Sequence, residues 1–430
     1  MCISLIIYFC VFTQNTGDVS NYPNILLLSV DTLRADHLSC YGYENPTSPN
    51  IDKLAEKGIV FDNCIAEVPL TCPSFSSMFT SKFPRMIGVT RNGLGISEDD
   101  ISITELLKDN GYFTFCVQSN WTLKSKLSGL KKGFDIYDDD DFHVKRWGIF
   151  SPERIADEVT QKCIDIIKKL PEDKPFFGWV HYSDPHAPYH FRKEYNVHHE
   201  EKRRKNERTY KTVRSYDSEI RFTDEQIGIL LENIPKNTTI VFTADHGESL
   251  YEHNYLGHGR KLYQNEVRIP LIIVSPKVKA GRTEIPVRGI DIGPTILGIA
   301  NIQKCKGMLG MDVLNENVNK ERIRVIETYG GAVPKIPILR SLMKKSGPIM
   351  QAVIVENWKL IVKDNRKELY NIVEDPEEIN NIAKKYPEKV LELQNIMKRW
   401  SMHTPVNTKK DGKKLSDEDL EVLRSMGYLE

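Results

Sequence analysis

The chain has no Cys-x-x-Cys pair: its eight cysteines (Cys2, Cys10, Cys40, Cys64, Cys72, Cys116, Cys163 and Cys305) are scattered, which excludes a disulfide framework and a zinc knuckle. Most sit in apolar runs, as small buried hydrophobes do. A net charge is also lacking, because 59 Lys and Arg balance 59 Asp and Glu. Nothing therefore marks a nucleic acid as partner, although a local anion pocket needs only a few focused cations. No apolar run is long enough for an integral membrane span. Met1 to Phe12 (MCISLIIYFCVF) is apolar but short and lacks the basic start of a signal peptide. It reads as the second half of a secretion signal, with a loose N-terminal strand as the competing reading, so an extracytoplasmic location is favoured over the cytoplasm. Internal repeats are missing. Asp138 to Asp141 and His198 to Arg208 read as solvated loops or helix ends.

What remains is an ordinary globular composition over 430 residues, enough to bury a large core. Asn24 to Val30 (NILLLSV) is a continuous apolar run between Pro23 and Asp31, the pattern of a buried parallel strand. Pro49 to Lys57 follows as a helix opened by proline and closed by Gly58. The alternation continues with a helix over Thr104 to Asn110, a strand over Phe113 to Gln118, a helix over Pro152 to Leu170 and a strand over Phe176 to Tyr182. A helix over Thr209 to Glu232, a strand over Thr239 to Ala244, a strand over Leu271 to Val274 and a helix over Ile290 to Ala300 complete it. This predicts an α/β fold with a large, mostly parallel sheet sandwiched by helices, its ligands bound beyond the carboxyl ends of the strands. After about residue 320 the pattern changes. Gln351 to Glu356, Trp358 to Asp364 and Lys367 to Ile372 read as an antiparallel meander, Asp375 to Trp400 as an amphipathic helix, and Ser416 to Met426 as a helical tail. The predicted units are residues 1–20 as an apolar segment, 21–320 as the catalytic domain and 321–430 as a smaller α+β subdomain.

Four segments carry chemistry. Asp31 follows the first strand directly, where a parallel sheet presents its ligands, though an acid there also suits a helix cap or turn. Thr239 to Glu248 runs an apolar strand straight into Asp245-His246-Gly247-Glu248, a carboxylate and an imidazole fit for a divalent ion. His181 to Tyr189 (HYSDPHAPY) sets His186 in a proline-stiffened loop after a strand, a place suited to a proton donor. Pro69 to Thr80 (PLTCPSFSSMFT) places small hydroxyl residues ahead of an expected helix, where the dipole attracts an oxyanion. An ordinary helix cap is the competing reading, stronger for Ser74 than for Thr71.

These stretches resemble the sulfatase branch of the alkaline phosphatase superfamily. The likeness runs through VDTLRADHLSCYGY, TSPNIDKLAEKGIVFDN, PLTCPSFSSMFTSKFPRMIGV, GLKKGFDIYDD, DPHAPY, FTADHGESLYEHNYLGHG, LYQNEVRIPLIIVSP, WKLIVKDNRKELYNIVEDPEEINNI and LRSMGYL, in that order. It implies one divalent metal ion (calcium, manganese, zinc or magnesium) held by Asp31, Thr71, Asp245 and His246. It further implies that His186 and His258 contact the transferred group or its leaving oxygen, with His181 and Asn120 as substrate-binding residues, Asn120 near the oxyanion. The substrate would be a small-molecule, glycan or lipid-linked sulfate or phosphate ester.

One departure counts. Active sulfatases carry a Cys-x-Pro-x-Arg stretch whose cysteine becomes formylglycine. Counting back from Pro73, that position holds Thr71; Cys72 lies one residue late, and Phe75 stands where the arginine belongs. Formylglycine is not expected. Threonine can act instead when a metal lowers its hydroxyl pKa. A sulfo-threonine lacks the aldehyde route of breakdown, whereas a phosphoryl-threonine can be hydrolysed or passed on. The leading expectation is a metal-dependent hydrolase of sulfate or phosphate-type esters with Thr71 as nucleophile. The alternatives are a phosphoryl-group transferase to lipid or glycan, and a degenerate protein that binds a sulfated or phosphorylated glycan without cleaving it.

Overall fold

The computed structural model describes residues 22–139, 144–146, 149–151, 153–198, 207–331, 347–404 and 407. The apolar segment expected over residues 1–20 and the tail helix expected over Ser416 to Met426 lie outside the described residues.

Eight strands build the main sheet: β1 (Ile25–Val30), β2 (Ile59–Phe61), β3 (Phe113–Gln118), β4 (Ile136–Asp138), β5 (Phe176–Tyr182), β6 (Thr239–Ala244), β7 (Leu271–Val274) and β8 (Gly281–Thr283). Their spatial order is β8, β2, β7, β6, β1, β5, β3, β4. Only β7 runs against its neighbours β6 and β2; every other pairing is parallel. All six residues of β1 are buried, as a central strand covered on both faces requires. Register decides where the chemistry falls. Val30 lies opposite both Tyr182 and Ala244, and Gln118 lies opposite His181, so β1, β3, β5 and β6 end at one edge of the sheet.

The crossovers are helical: α1 (Pro49–Lys57), α2 (Thr71–Thr80), α3 (Ile103–Asp109), α4 (Ala156–Ile167), α5 (Glu207–Glu232) and α6 (Gly289–Ile299). Ser102 and Glu105 form a capping box that starts α3 one residue before the expected boundary. Helix α2 packs on α6, and α5 on both α1 and α4. Beneath the functional edge, Trp179 of β5 lies 4.7 Å from the Phe75 ring and 4.8 Å from Phe79, which clamps α2 to the sheet. Truncating a buried ring of this kind costs about 3–5 kcal/mol.

A second, antiparallel sheet forms from β9 (Arg324–Thr328), β10 (Met350–Val355), β11 (Trp358–Lys363) and β12 (Arg366–Asn371). The first of these strands joins the expected three-strand meander. Helix α7 (Pro387–His403) lays Val390, Leu393 and Met397 on Val353, Leu360 and Leu369 of that sheet. The sequence predicts this helix from Asp375, and the structure starts it at Pro387. Asp375 accepts from the amides of Ile379 and Asn380, and Asn381 from those of Leu369 and Ala383, so side chains take backbone donors that a helix would have needed. The acidic run read as solvated also differs: Asp138 takes Arg154 and Lys162 into ion pairs.

Candidate active site

Asp31 and Asp245 each leave a strand at the functional edge, one residue beyond Val30 and Ala244. Both are fully buried, as are Thr71 and His246. Thr32 turns with a φ of 55°, unusual for a β-branched residue, and its amide donates to Asp245 Oδ1 at 3.1 Å. The Tyr216 hydroxyl pins that turn by donating to Thr32 O at 2.7 Å. The His246 amide donates to the same Asp245 oxygen at 2.9 Å. Gly247 is required where it stands, since a Cβ there would lie 2.1 Å from Asn265 O.

His246 Nδ1 lies 2.8 Å from Gly247 O and so carries the proton, which leaves the Nε2 lone pair facing inward. That nitrogen is 3.3 Å from Asp245 Oδ2, 3.4 Å from Thr71 Oγ1 and 4.0 Å from Asp31 Oδ1. One donor atom from each of Asp31, Asp245 and His246 lies within 4.8 Å of the others. Asp31 Oδ1 and Asp245 Oδ2 are buried without a hydrogen bond. Two carboxylate oxygens, an imidazole lone pair and a hydroxyl oxygen converge here, which is the arrangement a divalent cation satisfies.

The two carboxylates are not equal. Burial alone would raise Asp31, but the imidazole of His181 close beside it and the fields of His186 and His246 hold it well below the usual carboxylate range. Burial and then the charge of Asp31 push Asp245 far up. Burial lowers His246, keeping its imidazole neutral.

Asn120 Nδ2 donates to Asp31 Oδ2, and its Oδ1 accepts from the Thr122 amide at 2.8 Å and hydroxyl at 2.7 Å. His181 presents Nε2 to Asp31 Oδ2 at 3.6 Å, while Nδ1 rests 3.0 Å from Ser29 Oγ, which accepts from Trp179 Nε1. Both expected substrate-binding side chains therefore lean on Asp31. Phe75, edge-on to His181 at 4.8 Å, closes that wall.

Thr71 is the first residue of α2, with Leu70 as its N-cap. The cap reading of Ser74 fails, because its hydroxyl donates to Asp245 O at 2.8 Å and ties α2 to the second carboxylate. Cys72 points away, its Sγ 3.3 Å from Leu94 O. His186 and His258 form the other wall, their rings 5.3 Å apart, with His258 4.5 Å from His246. Each Nδ1 meets a carboxylate at 3.1 Å, Glu153 for His186 and Glu248 for His258. A small pocket opens beside His186, lined by Glu153, Arg154, Asp184 and His190. Sequence reasoning gave neither glutamate a role. Glu248 stood inside the Asp-His-Gly-Glu stretch and was legible from it, whereas nothing local to Glu153 marked it.

The sequence model of the Sulfatase family matches residues 23–302, and that of the N-sulphoglucosamine sulphohydrolase C-terminal region matches residues 251–403. An ulvan-active sulfatase from Formosa agariphila is 26% identical over 374 residues, covering 76% of this chain and 72% of that protein. An N-acetylglucosamine-6-O-sulfatase from Bacteroides thetaiotaomicron is 25% identical, covering 89% and 88%. Among solved structures, a complex with its substrate D-glucosamine-2-N,6-O-disulfate superposes with a TM-score of 0.72 at 22% identity, covering 91% of this chain and 100% of the other. The phosphonate monoester hydrolase of Agrobacterium radiobacter gives 0.70 at 17% identity, covering 92% and 99%. At such identities the superpositions speak for the fold.

Proposed function

The chain belongs to the sulfatase family of the alkaline phosphatase superfamily, and from that premise we propose that it hydrolyses sulfate or phosphate-type esters of a glycan or small molecule, with Thr71 as nucleophile. The observation that carries the reading is the convergence of Asp31, Asp245, His246 and the Thr71 hydroxyl around two buried carboxylate oxygens that have no hydrogen bond. One divalent cation held by these four residues would neutralise the cluster, acidify the threonine hydroxyl and polarise the ester.

The chain's own groups account for the rest. Thr71 Oγ1, at the positive end of α2, gives up its proton to water and attacks the sulfur or phosphorus as the bond to the leaving oxygen breaks. His186 gives that oxygen its proton, and His258 on the same wall contacts the transferred group. Asn120 and His181 act through Asp31, holding it charged and in place. Water then cleaves the threonine ester. Because Thr71 stands where active sulfatases carry the formylglycine cysteine, phosphodiesters and phosphonates fit the second half of this cycle better than sulfates do. The relatives that act on sulfated sugars make a glycan ester the scaffold of choice.

Purified protein offered 4-nitrophenyl sulfate, bis(4-nitrophenyl) phosphate and a phenylphosphonate ester tests this. Turnover that stops with chelator, returns with a divalent ion and is lost in Thr71→Ala is expected. No chelator-sensitive turnover of any of the three, or full activity in Thr71→Ala, would refute the reading.

A further inference from the structure

The turn that carries Asp245 and His246 takes its backbone path from a neighbouring segment. Gly247 N donates to Glu266 O at 2.8 Å and Glu248 N to Asn265 O at 2.9 Å, while Asn265 Nδ2 reaches Ser249 Oγ at 3.2 Å. The bracing segment, Gln264–Val267, is itself held from the second sheet. Its first amide, Gln264 N, donates to the Glu378 carboxylate, and the other oxygen of Glu378 lies 2.8 Å from Lys359 Nζ. Lys359 belongs to the WKLIV stretch and Glu378 to DPEEINNI, two stretches the chemistry above leaves without a task.

Stability alone is a poor reason for this pair. Lys359 is 0% exposed and Glu378 1%, and a buried ion pair seldom outperforms apolar residues of similar volume. Glu378 also holds a φ of 54°, in the left-handed region that a non-glycine residue occupies only under constraint. Two unfavourable features therefore coincide at a side chain that reaches from the C-terminal subdomain to the first amide of the bracing segment, beside the apolar packing of Val267 on Ile326 and Ile361.

We infer that Lys359 and Glu378 are positioning residues for the Asp245-His246 turn: the pair fixes the Gln264 amide, and through it the two carbonyls that hold Gly247 and Glu248. The C-terminal sheet is then a working part of the active site. The inference rests on the reading that Asp245 and His246 hold a metal, but its test does not depend on turnover.

Two neutral double variants of the full chain separate the roles. Lys359→Met with Glu378→Gln keeps an oxygen for Gln264 N; Lys359→Met with Glu378→Gly removes it while easing the backbone at residue 378. Amide hydrogen exchange over residues 245–258, Mn2+ titration, steady-state kinetics and thermal melting are read for each. The glutamine variant should stay close to the parent in all four. The glycine variant should exchange faster at residues 247 and 248, bind Mn2+ about tenfold more weakly, the loss typical of a removed outer partner, and lose kcat more than KM, with its melting point held. Unchanged exchange and Mn2+ affinity in the glycine variant overturn the inference, as does faster exchange spread evenly over the chain with a lowered melting point. If the parent neither binds Mn2+ nor turns over, the functional reading fails and the exchange pattern alone decides the positioning role.

Discussion

At the end of β1, Asp31 leaves the sheet one residue after Val30; at the end of β6, Asp245 leaves one residue after Ala244, and the two strand ends lie side by side. The backbone presents the two carboxylates almost as copies. Their surroundings differ. Asp31 is met by Asn120, His181 and the field of His186, all from loops or strands beyond it. Asp245 is met by two backbone amides and by the negative charge of Asp31 itself. One therefore stays ionised without help, while the other holds its proton to a higher pH. The sheet sets where a ligand stands, and the side chains around it set what charge it brings.

Substitution at the two positions breaks the comparison most directly. Asp31→Asn and Asp245→Asn should each cut metal-dependent kcat/KM by roughly a thousandfold or more, the scale of losing a principal electrostatic stabiliser. The loss should be greater at residue 31, because its carboxylate is the one held ionised before the cation binds. Kinetics on a phosphodiester at saturating Mn2+ would check it; an Asp31→Asn enzyme as active as Asp245→Asn would show that the two ends are equivalent after all. The next effect is on metal uptake. Asp245 is raised to about 7 in the metal-free protein, so binding must displace its proton. Mn2+ affinity should climb about tenfold per pH unit up to neutrality and level off above it, with one proton released per ion. Asp245→Asn should flatten that slope, as titrations in buffers of different ionisation heat would reveal.

Much of this pair was readable from sequence. Apolar runs ending in Asp31 and Asp245 announced the strand ends, and the adjacent His246 announced a ligand, because strand length and register are carried by local pattern. What lay out of reach was contact between segments. That Asn120 and His181 serve Asp31 follows from Gln118 pairing with His181 across β3 and β5, a register no spacing encodes. Glu153 reaches His186 from a segment 33 positions earlier in the chain, and Glu378 reaches Gln264 across the boundary between the two sheets. The helix misplaced at Asp375 failed for a related reason: charged periodicity was present, but Asp375 and Asn381 spend their side chains on the local backbone.

Smaller effects sharpen the contrast in the metal-free protein. Asp245 has its folded pKa above the unfolded value, so its contribution is fully present below about pH 4 and is lost as pH rises toward 7. In chelator at pH 8, Asp245→Asn should therefore melt higher than the parent, by roughly 1 to 3 kcal/mol in stability, and the gain should shrink toward pH 5. Asp31 has the opposite shift: its contribution is present above the usual carboxylate pKa and is lost only in acid, so Asp31→Asn should show no comparable gain at pH 8. Equal melting gains at both positions would mean that repulsion between the carboxylates outweighs the partners of Asp31.

The smallest change probes those partners one at a time. Asn120→Ala removes one donor from Asp31 Oδ2 and leaves His181 in place. Mn2+ affinity should fall about tenfold, worth about 1.4 kcal/mol, as for loss of an outer hydrogen bond to a ligand. Because the lost donor stabilised the charged form, Asp31 should then titrate higher, and affinity should begin to fall at a higher pH than in the parent. No substitution around Asp245 has this counterpart, since its donors are the amides of Thr32 and His246. An Asn120→Ala protein with unaltered affinity and pH dependence would place the control of Asp31 with His181 alone.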